Sequence, residues 1–281
     1  MKITVQDFTG IYDYQPFMQE LREKAAKTTD FYWLDCSKIV GTDCYCDDEA
    51  VKEINSLIDN FERNTFKKFI PEIHFFDNGN YHYMSKLWTD RVQEPFSLIV
   101  FDHHPDMQPP RFGDILSCGG WVKEVLDNNK FIQNVIIIGV KDELVETVRE
   151  ELSQSGEANI LDKVIFIKES VLTSTLHLHN ISDLIIRDCG RTHTSYPIYI
   201  SIDKDALAPA YAATNWDQGS LNTKSLKSTI TELAAKHKIL GVDICGERAK
   251  DFEGNEYYTV QEADSINNAL NQELVLFFQS L

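Results

Sequence analysis

The chain has 281 residues, 43% of them hydrophobic and 25% charged, the balance of a globular protein long enough to bury a sizeable core. A formal net charge of −17 argues against nucleic acid or an anionic membrane surface as a partner. No apolar run reaches the roughly 18 residues of a membrane span, the opening Met1-Lys-Ile-Thr-Val-Gln-Asp7 lacks the apolar stretch of a signal peptide, and the six cysteines are scattered through a long chain. Reduced thiols and a cytoplasmic location are therefore expected.

In chain order, residues 1–46 carry the weakest pattern; Phe31-Tyr-Trp-Leu34 reads as a strand. Cys44-Tyr-Cys46, with Cys36 nearby, does not have a usual zinc spacing. Asp47 to Phe61 reads as a helix with Val51, Ile54, Leu57 and Ile58 on one face and Asp47 or Asp48 as cap. Ile73 to Phe76 is a buried strand that runs into the turn-forming Asp77-Asn-Gly-Asn80, and a helix begins near Tyr81. His82 thus stands where a strand hands over to a helix.

Leu98 to Phe101 is apolar without alternation, as in strands buried on both faces of a parallel sheet. It turns abruptly polar at Asp102-His-His-Pro-Asp106. In an extended chain, positions i, i+2 and i+4 face one way, so Asp102, His104 and Asp106 converge past the strand end while His103 points away. Ligands bind at that edge of open α/β sheets. After Ser117-Cys-Gly-Gly120 come a helix from Trp121, a strand at Val135–Gly139, a helix from Asp142 to Leu152 and a strand at Val164–Ile167. Residues 170–196 are ambiguous and include His177, His179 and His193. Ile198 to Ile202 is a strand closed by Asp203-Lys-Asp205, a second pair of carboxylates on one side of an extended chain. A loop containing Trp216 and Asp217, a helix over Ser225–His237, a strand over Ile239–Ile244 and a long helix over Thr259–Leu281 complete the chain. Alternating strands and helices imply an α/β fold: a three-layer α/β/α arrangement around a mainly parallel sheet, read as one domain over 1–281 with residues 1–70 weakly placed.

Three strand ends then offer His82, the Asp102/His104/Asp106 set and the Asp203/Asp205 pair to one sheet edge. Two imidazoles and four carboxylates exceed the needs of one divalent ion and suit two ions about 3.5–4 Å apart with bridging carboxylates. Mixed imidazole and carboxylate donors suit manganese, iron, cobalt or nickel rather than thiolate-bound structural zinc.

These blocks resemble the ureohydrolases, the arginase/agmatinase/formiminoglutamase family. That family has a Gly-Gly-Asp-His turn, an Asp-Ala-His-x-Asp strand end and a Ser-x-Asp-x-Asp strand end. Here stand Asn78-Gly-Asn-Tyr-His82, degenerate except for its histidine, then Asp102-His-His-Pro-Asp106 and Ser201-Ile-Asp-Lys-Asp205. The resemblance covers residues 70 to 280 and marks the chain as a divergent member. It implies the arginase-deacetylase-like fold and two manganese ions held by His82, Asp102, His104, Asp106, Asp203 and Asp205. It also implies a metal-bridging hydroxide that attacks a guanidinium carbon to release urea, with Asp106 taking up the proton. The expected partner is a small-molecule substrate, with homo-oligomerisation left open.

The chain also departs from the family. Leu207-Ala-Pro and Ala213-Thr-Asn-Trp-Asp217 replace the family's Leu-Asp-Pro and Ala-Thr-Gly-Thr-Pro, so Trp216 and Asp217 are candidate substrate-binding residues. The family's proton-transfer histidine has no counterpart, and Cys118, the nearest titratable group to that position, is a third candidate substrate-binding residue. The family's Asp-x-x-Glu guanidinium anchor becomes Asp243-Ile-Cys-Gly-Glu247, one residue late. Such a shift turns a side chain to the opposite face of a strand unless a positive-φ turn at Gly246 restores it. With that relief Glu247 is a candidate catalytic residue; without it the anchor is gone. Binuclear C–N hydrolysis of a guanidino compound is the expected activity, with arginine disfavoured. The alternatives are an amide or amidine hydrolase of the same fold and a non-catalytic metal-binding homologue.

Overall fold

A computed structural model describes residues 1–28, 30–64, 72–109, 113–174 and 196–281, with side chains of 61–64 and 173–174 left aside. His177, His179, Cys189 and His193 lie outside the described residues. Among the described residues ten strands are present: β1 (Lys2–Asp7), β2 (Phe31–Asp35), β3 (Tyr45–Cys46), β4 (Glu72–Phe75), β5 (Phe96–Phe101), β6 (Leu116–Ser117), β7 (Ile132–Val140), β8 (Val164–Lys168), β9 (Ile198–Asp203) and β10 (Ile239–Cys245). Eight of them form a sheet in the order β2-β1-β4-β10-β9-β5-β7-β8, parallel at every pairing, and β3 and β6 form a small antiparallel pair beside it.

The apolar runs explain why the sheet is buried on both faces. Along β5, Leu98 and Val100 join one core cluster while Ile99 and Phe101 join the other; Ile137 and Ile138 of β7 divide in the same way. Alternation sends successive side chains to opposite faces, and a strand clothed on both needs apolar residues at every position. Fully burying one such side chain is worth about 1.5–3 kcal/mol.

The strands β1 and β2 bring the weakly patterned N-terminal region into the same sheet as its far edge. The helix Asp48–Asn64 is capped by Asp47, whose Oδ1 accepts from the backbone N–H of Glu49 and Ala50 at 3.1 and 2.9 Å. The helix Val260–Ser280 starts with a capping box between Thr259 and Glu262. Among the described residues no helix is long and apolar enough to cross a membrane.

Strand order is what positions the site. β4 and β5 follow one another in sequence but are separated in the sheet by β10 and β9. The C-terminal ends of β4, β10, β9 and β5 therefore lie side by side, and they carry His82, Cys245, the Asp203/Asp205 pair and the Asp102–Asp106 turn respectively.

Candidate metal centre

Each donor is delivered by local structure. After β4, Asp77 takes a left-handed φ of 73° and Asn78 caps a short 3-10 turn, Gly79–Tyr81, by accepting from the Asn80 N–H at 3.0 Å. The chain emerges with His82 buried at the sheet edge. Past β5 the backbone is not extended throughout, because Asp106 has φ 49°. The expected i, i+2, i+4 alternation accordingly holds at Asp102 and His104, and a turn aims Asp106. His103 is buried and points elsewhere, its Nδ1 lying 3.3 Å from the Gly139 carbonyl.

His82 Nδ1 lies 3.0 Å from Asp106 Oδ2, 3.2 Å from Asp102 Oδ2 and 3.6 Å from Asp203 Oδ2. His104 Nδ1 lies 2.9 Å from Asp205 Oδ2 and 3.5 Å from Asp102 Oδ1. Among the described residues three donor groups are compact enough to hold a cation: His82/Asp102/Asp106, Asp102/His104/Asp205 and His82/Asp203/Cys245, each with its atoms within 4.8 Å of one another. The structure thus brings His82, Asp102, His104, Asp106, Asp203 and Asp205 to one centre and adds Cys245, whose Sγ donates to Asp203 Oδ2 at 3.2 Å.

Both imidazoles present Nδ1 to the carboxylates and are held from behind at Nε2. His82 Nε2 is 2.8 Å from Ser201 Oγ, which is 2.9 Å from Ser85 Oγ. His104 Nε2 is 2.9 Å from Asp217 Oδ1. Partners of this kind fix the tautomer and ring orientation of a metal-binding histidine. Asp106 Oδ2 also accepts from the indole N–H of the buried Trp121 at 2.6 Å.

The electrostatics favour a cation. Burial works against a charge on His82, but contact with the Asp102 and Asp106 carboxylates outweighs it and holds the imidazole well above its ordinary pKa. His104 is raised in the same way by Asp102 and Asp205 against the effect of burial. Burial and then the Asp205 charge push Asp203 up to about 7, and burial and then Asp102 push Asp205 up to about 6. One Nδ1 proton cannot serve three carboxylates, and Asp102 Oδ2 is a buried oxygen without a hydrogen bond. Uncompensated buried carboxylate charge is costly, and a divalent ion with oxygen and imidazole donors would offset it. The donor set fits.

A cavity of about 280 Å³ opens onto this centre. Trp216 and Cys118 line it, together with Cys44 and Tyr45 of the β3 region. Asp217 does not line it: more than half exposed, its carboxylate reaches His104 and, at 3.3 Å, Lys141 Nζ. Asp217 thus stands behind His104, beside the cavity.

Glu247 also departs from expectation. Gly246 does take a positive φ of 90°, but the carboxylate turns into the core. It pairs there with the buried Lys204 and accepts from Gln15 Nε2 and Asn271 Nδ2, each at 2.8 Å. It is absent from the cavity lining, so its expected role as a catalytic anchor is not supported by its placement. Arg248 is engaged separately by Asp264, at 2.7 and 2.9 Å. Sequence reasoning missed Trp121, read only as part of an apolar helix face, and the supporting role of Ser201, which the third motif did contain. Trp121 offered no signal, since nothing local marks which indole meets Asp106.

An all-parallel sheet with a histidine–carboxylate centre at its C-terminal edge defines an arginase-like α/β fold. The chain belongs to the Arginase family, whose sequence pattern matches residues 81–247. It is 25% identical over 279 residues to an uncharacterized protein of Thermotoga maritima, covering 99% of this chain and 91% of that one. Among solved structures it is similar to arginase from Bacillus caldovelox, with TM-score 0.61 and 13% identity over 96% of this chain and 97% of that one. Agmatine ureohydrolase of Thermoplasma volcanium gives TM-score 0.60 and 15% identity over 96% and 86% of the two chains. Proclavaminate amidino hydrolase from Streptomyces clavuligerus gives 0.58 and 18% over 96% and 90%.

Proposed function

We propose that the protein is a binuclear metal-dependent hydrolase that cleaves a C–N bond of a guanidino or amidino compound, releasing urea from a guanidino substrate. The observation that carries this reading is the pair of donor groups His82/Asp102/Asp106 and Asp102/His104/Asp205, which have Asp102 in common. Asp203 stands within reach of the first and Asp205 belongs to the second. Two divalent ions in these groups, manganese by the resemblance and by the Mn2+ bound to an engineered triple mutant of a T. brucei arginase-like protein, would supply Lewis acidity and lower the pKa of water at the site.

The protein's own residues do the rest. Asp106 receives the proton lost by the attacking water, and the Trp121 N–H holds that carboxylate in place. Ser201 and Asp217 keep the two imidazoles turned toward the centre. Trp216 forms a half-exposed wall whose ring lies 5.8 Å from that of His104, a surface suited to a flat cationic amidine group. With Glu247 withdrawn into the core, the substrate meets no carboxylate at the end of β10, so the family's guanidinium anchor is missing and the cationic group is left to Trp216 and the acidic centre.

The test is elemental analysis after manganese loading, followed by a urea and ammonia release screen over guanidino and amidino compounds. Two ions per chain and one productive compound class are expected. One ion or none on folded protein would overturn the binuclear reading, and two ions without turnover would leave a metal-binding homologue.

A further inference from the structure

Cys44 and Cys118 face each other on the rim of the metal cavity. β3 and β6 pair Tyr45 with Ser117 and Cys46 with Leu116, and one more step along this antiparallel register sets Cys44 opposite Cys118. The Cys118 N–H donates to the Cys44 carbonyl at 2.9 Å, so the two form a backbone-bonded cross-strand pair. Such pairs have Cα atoms about 5.5 Å apart, inside the span of about 4.4–6.8 Å that a disulfide bridges. Both side chains line the cavity. Cys44 is a non-glycine residue at φ 59°, a conformation that carries strain and persists where its surroundings enforce it.

The other described cysteines contrast with this pair. Cys36, Cys46 and Cys245 are buried, and Cys245 is engaged with Asp203. Burial pushes the Cys36 and Cys46 thiols up to about 12. Contact with Cys118 instead holds the Cys44 thiol below its ordinary value, while that same contact and then burial push the Cys118 thiol up, so Cys44 is the first of the two to ionise.

We propose that Cys44 and Cys118 are a thiol modification site, oxidised by hydroperoxides to an intramolecular disulfide across the cavity rim. The Cys44 sulfur attacks a peroxide oxygen, the O–O bond breaks, and a sulfenic acid and water result. The Cys118 sulfur then attacks that sulfenic sulfur, its thiol proton leaves with the departing oxygen, and a second water is released. Two thiols lose two electrons and hydrogen peroxide becomes two waters. Neither metal nor substrate takes part, so the outcome is independent of the hydrolase reading.

The experiment treats the full-length protein with hydrogen peroxide, alkylates the remaining thiols and maps the peptides by mass spectrometry. A Cys44–Cys118 linked peptide is expected, with loss of two free thiols and their recovery in dithiothreitol. Cys44→Ser and Cys118→Ser should each abolish the link while circular dichroism stays native. The wild-type map is decisive even if a variant folds poorly. A link joining either residue to another cysteine, or oxidation of both to sulfinic acid without a link, would overturn the proposal.

Discussion

Trp121 and Asp106 meet through a single oxygen: Asp106 Oδ2 accepts the indole N–H at 2.6 Å and lies 3.0 Å from His82 Nδ1. The tryptophan therefore sets where the carboxylate stands relative to the histidine. Trp121→Phe keeps a buried ring and removes the donor. Manganese affinity should fall by about 10–100-fold, the usual cost of losing such a partner. Calorimetric titration measures it, and unchanged affinity in a folded variant would contradict the assignment.

Lys204 and Glu247 form a buried ion pair away from the cavity. Lys204→Met leaves the Glu247 charge unpaired and should cost about 3–5 kcal/mol of stability. Adding Glu247→Gln to that variant should recover much of the loss. Chemical denaturation of the single and double variants tests this. Glu247→Gln alone should lower stability while turnover per folded molecule is retained; selective loss of turnover would restore Glu247 to the active site.

Gly246 sits at φ 90° against the metal carboxylates: a Cβ there would come within 2.3 Å of Asp203 Oδ1 and 2.7 Å of the Lys204 nitrogen. Gly246→Ala should destabilise the fold by at least the roughly 1–3 kcal/mol of an enforced backbone outlier and weaken metal binding by displacing Asp203. Gly156→Ala is the control, since φ is 78° there but nothing lies within 4 Å of the added carbon. It should cost the backbone strain alone. Equal metal affinity in the two variants would refute the steric argument.

The metal-free protein should lose stability as pH rises. Asp203 and Asp205 are raised from 3.8 to about 7 and about 6, so between about pH 4 and 7 the folded state binds more protons than the unfolded chain. Stability falls with pH wherever that holds. His82 and His104, raised from 6.5, add a term of the same sign that persists below their unfolded value and fades as pH passes the folded one. Metal binding requires deprotonated carboxylates, so the rise in thermal midpoint on adding manganese should grow over the same window. Thermal melts at pH 5 and pH 8, with and without the ion, check both trends; a metal-free midpoint that climbs with pH would contradict the first.

Much of the sheet was legible because its strands are apolar at every position, as Leu98–Phe101 and Val135–Ile138 show. A two-sided core leaves that mark in any sequence. The strand β1 was not read: Lys2-Ile-Thr-Val-Gln-Asp7 is short and mixes polar with apolar residues, and its partners lie at residues 31–35 and 72–75. Its identity as a strand rests on pairings that local pattern does not encode.

The same division holds at the site. The sequence by itself determined the donors and their grouping, because Asp102, His104, Asp203 and Asp205 close apolar strands whose direction carries them to one edge. The tertiary structure alone decided the rest. The sheet order places β10 and β9 between β4 and β5, and the Gly79–Tyr81 turn carries His82 across them to Asp102 and Asp106. A left-handed turn aims Asp106, and Trp121, fifteen residues further on, reaches its oxygen. Past Gly246 the chain resumes its alignment with the end of β4, and Glu247 turns to Lys204 rather than to the cavity. Spacing along a strand fixes which side chains share a face, but the direction after a positive-φ residue depends on the charges and surfaces that the folded chain packs around it.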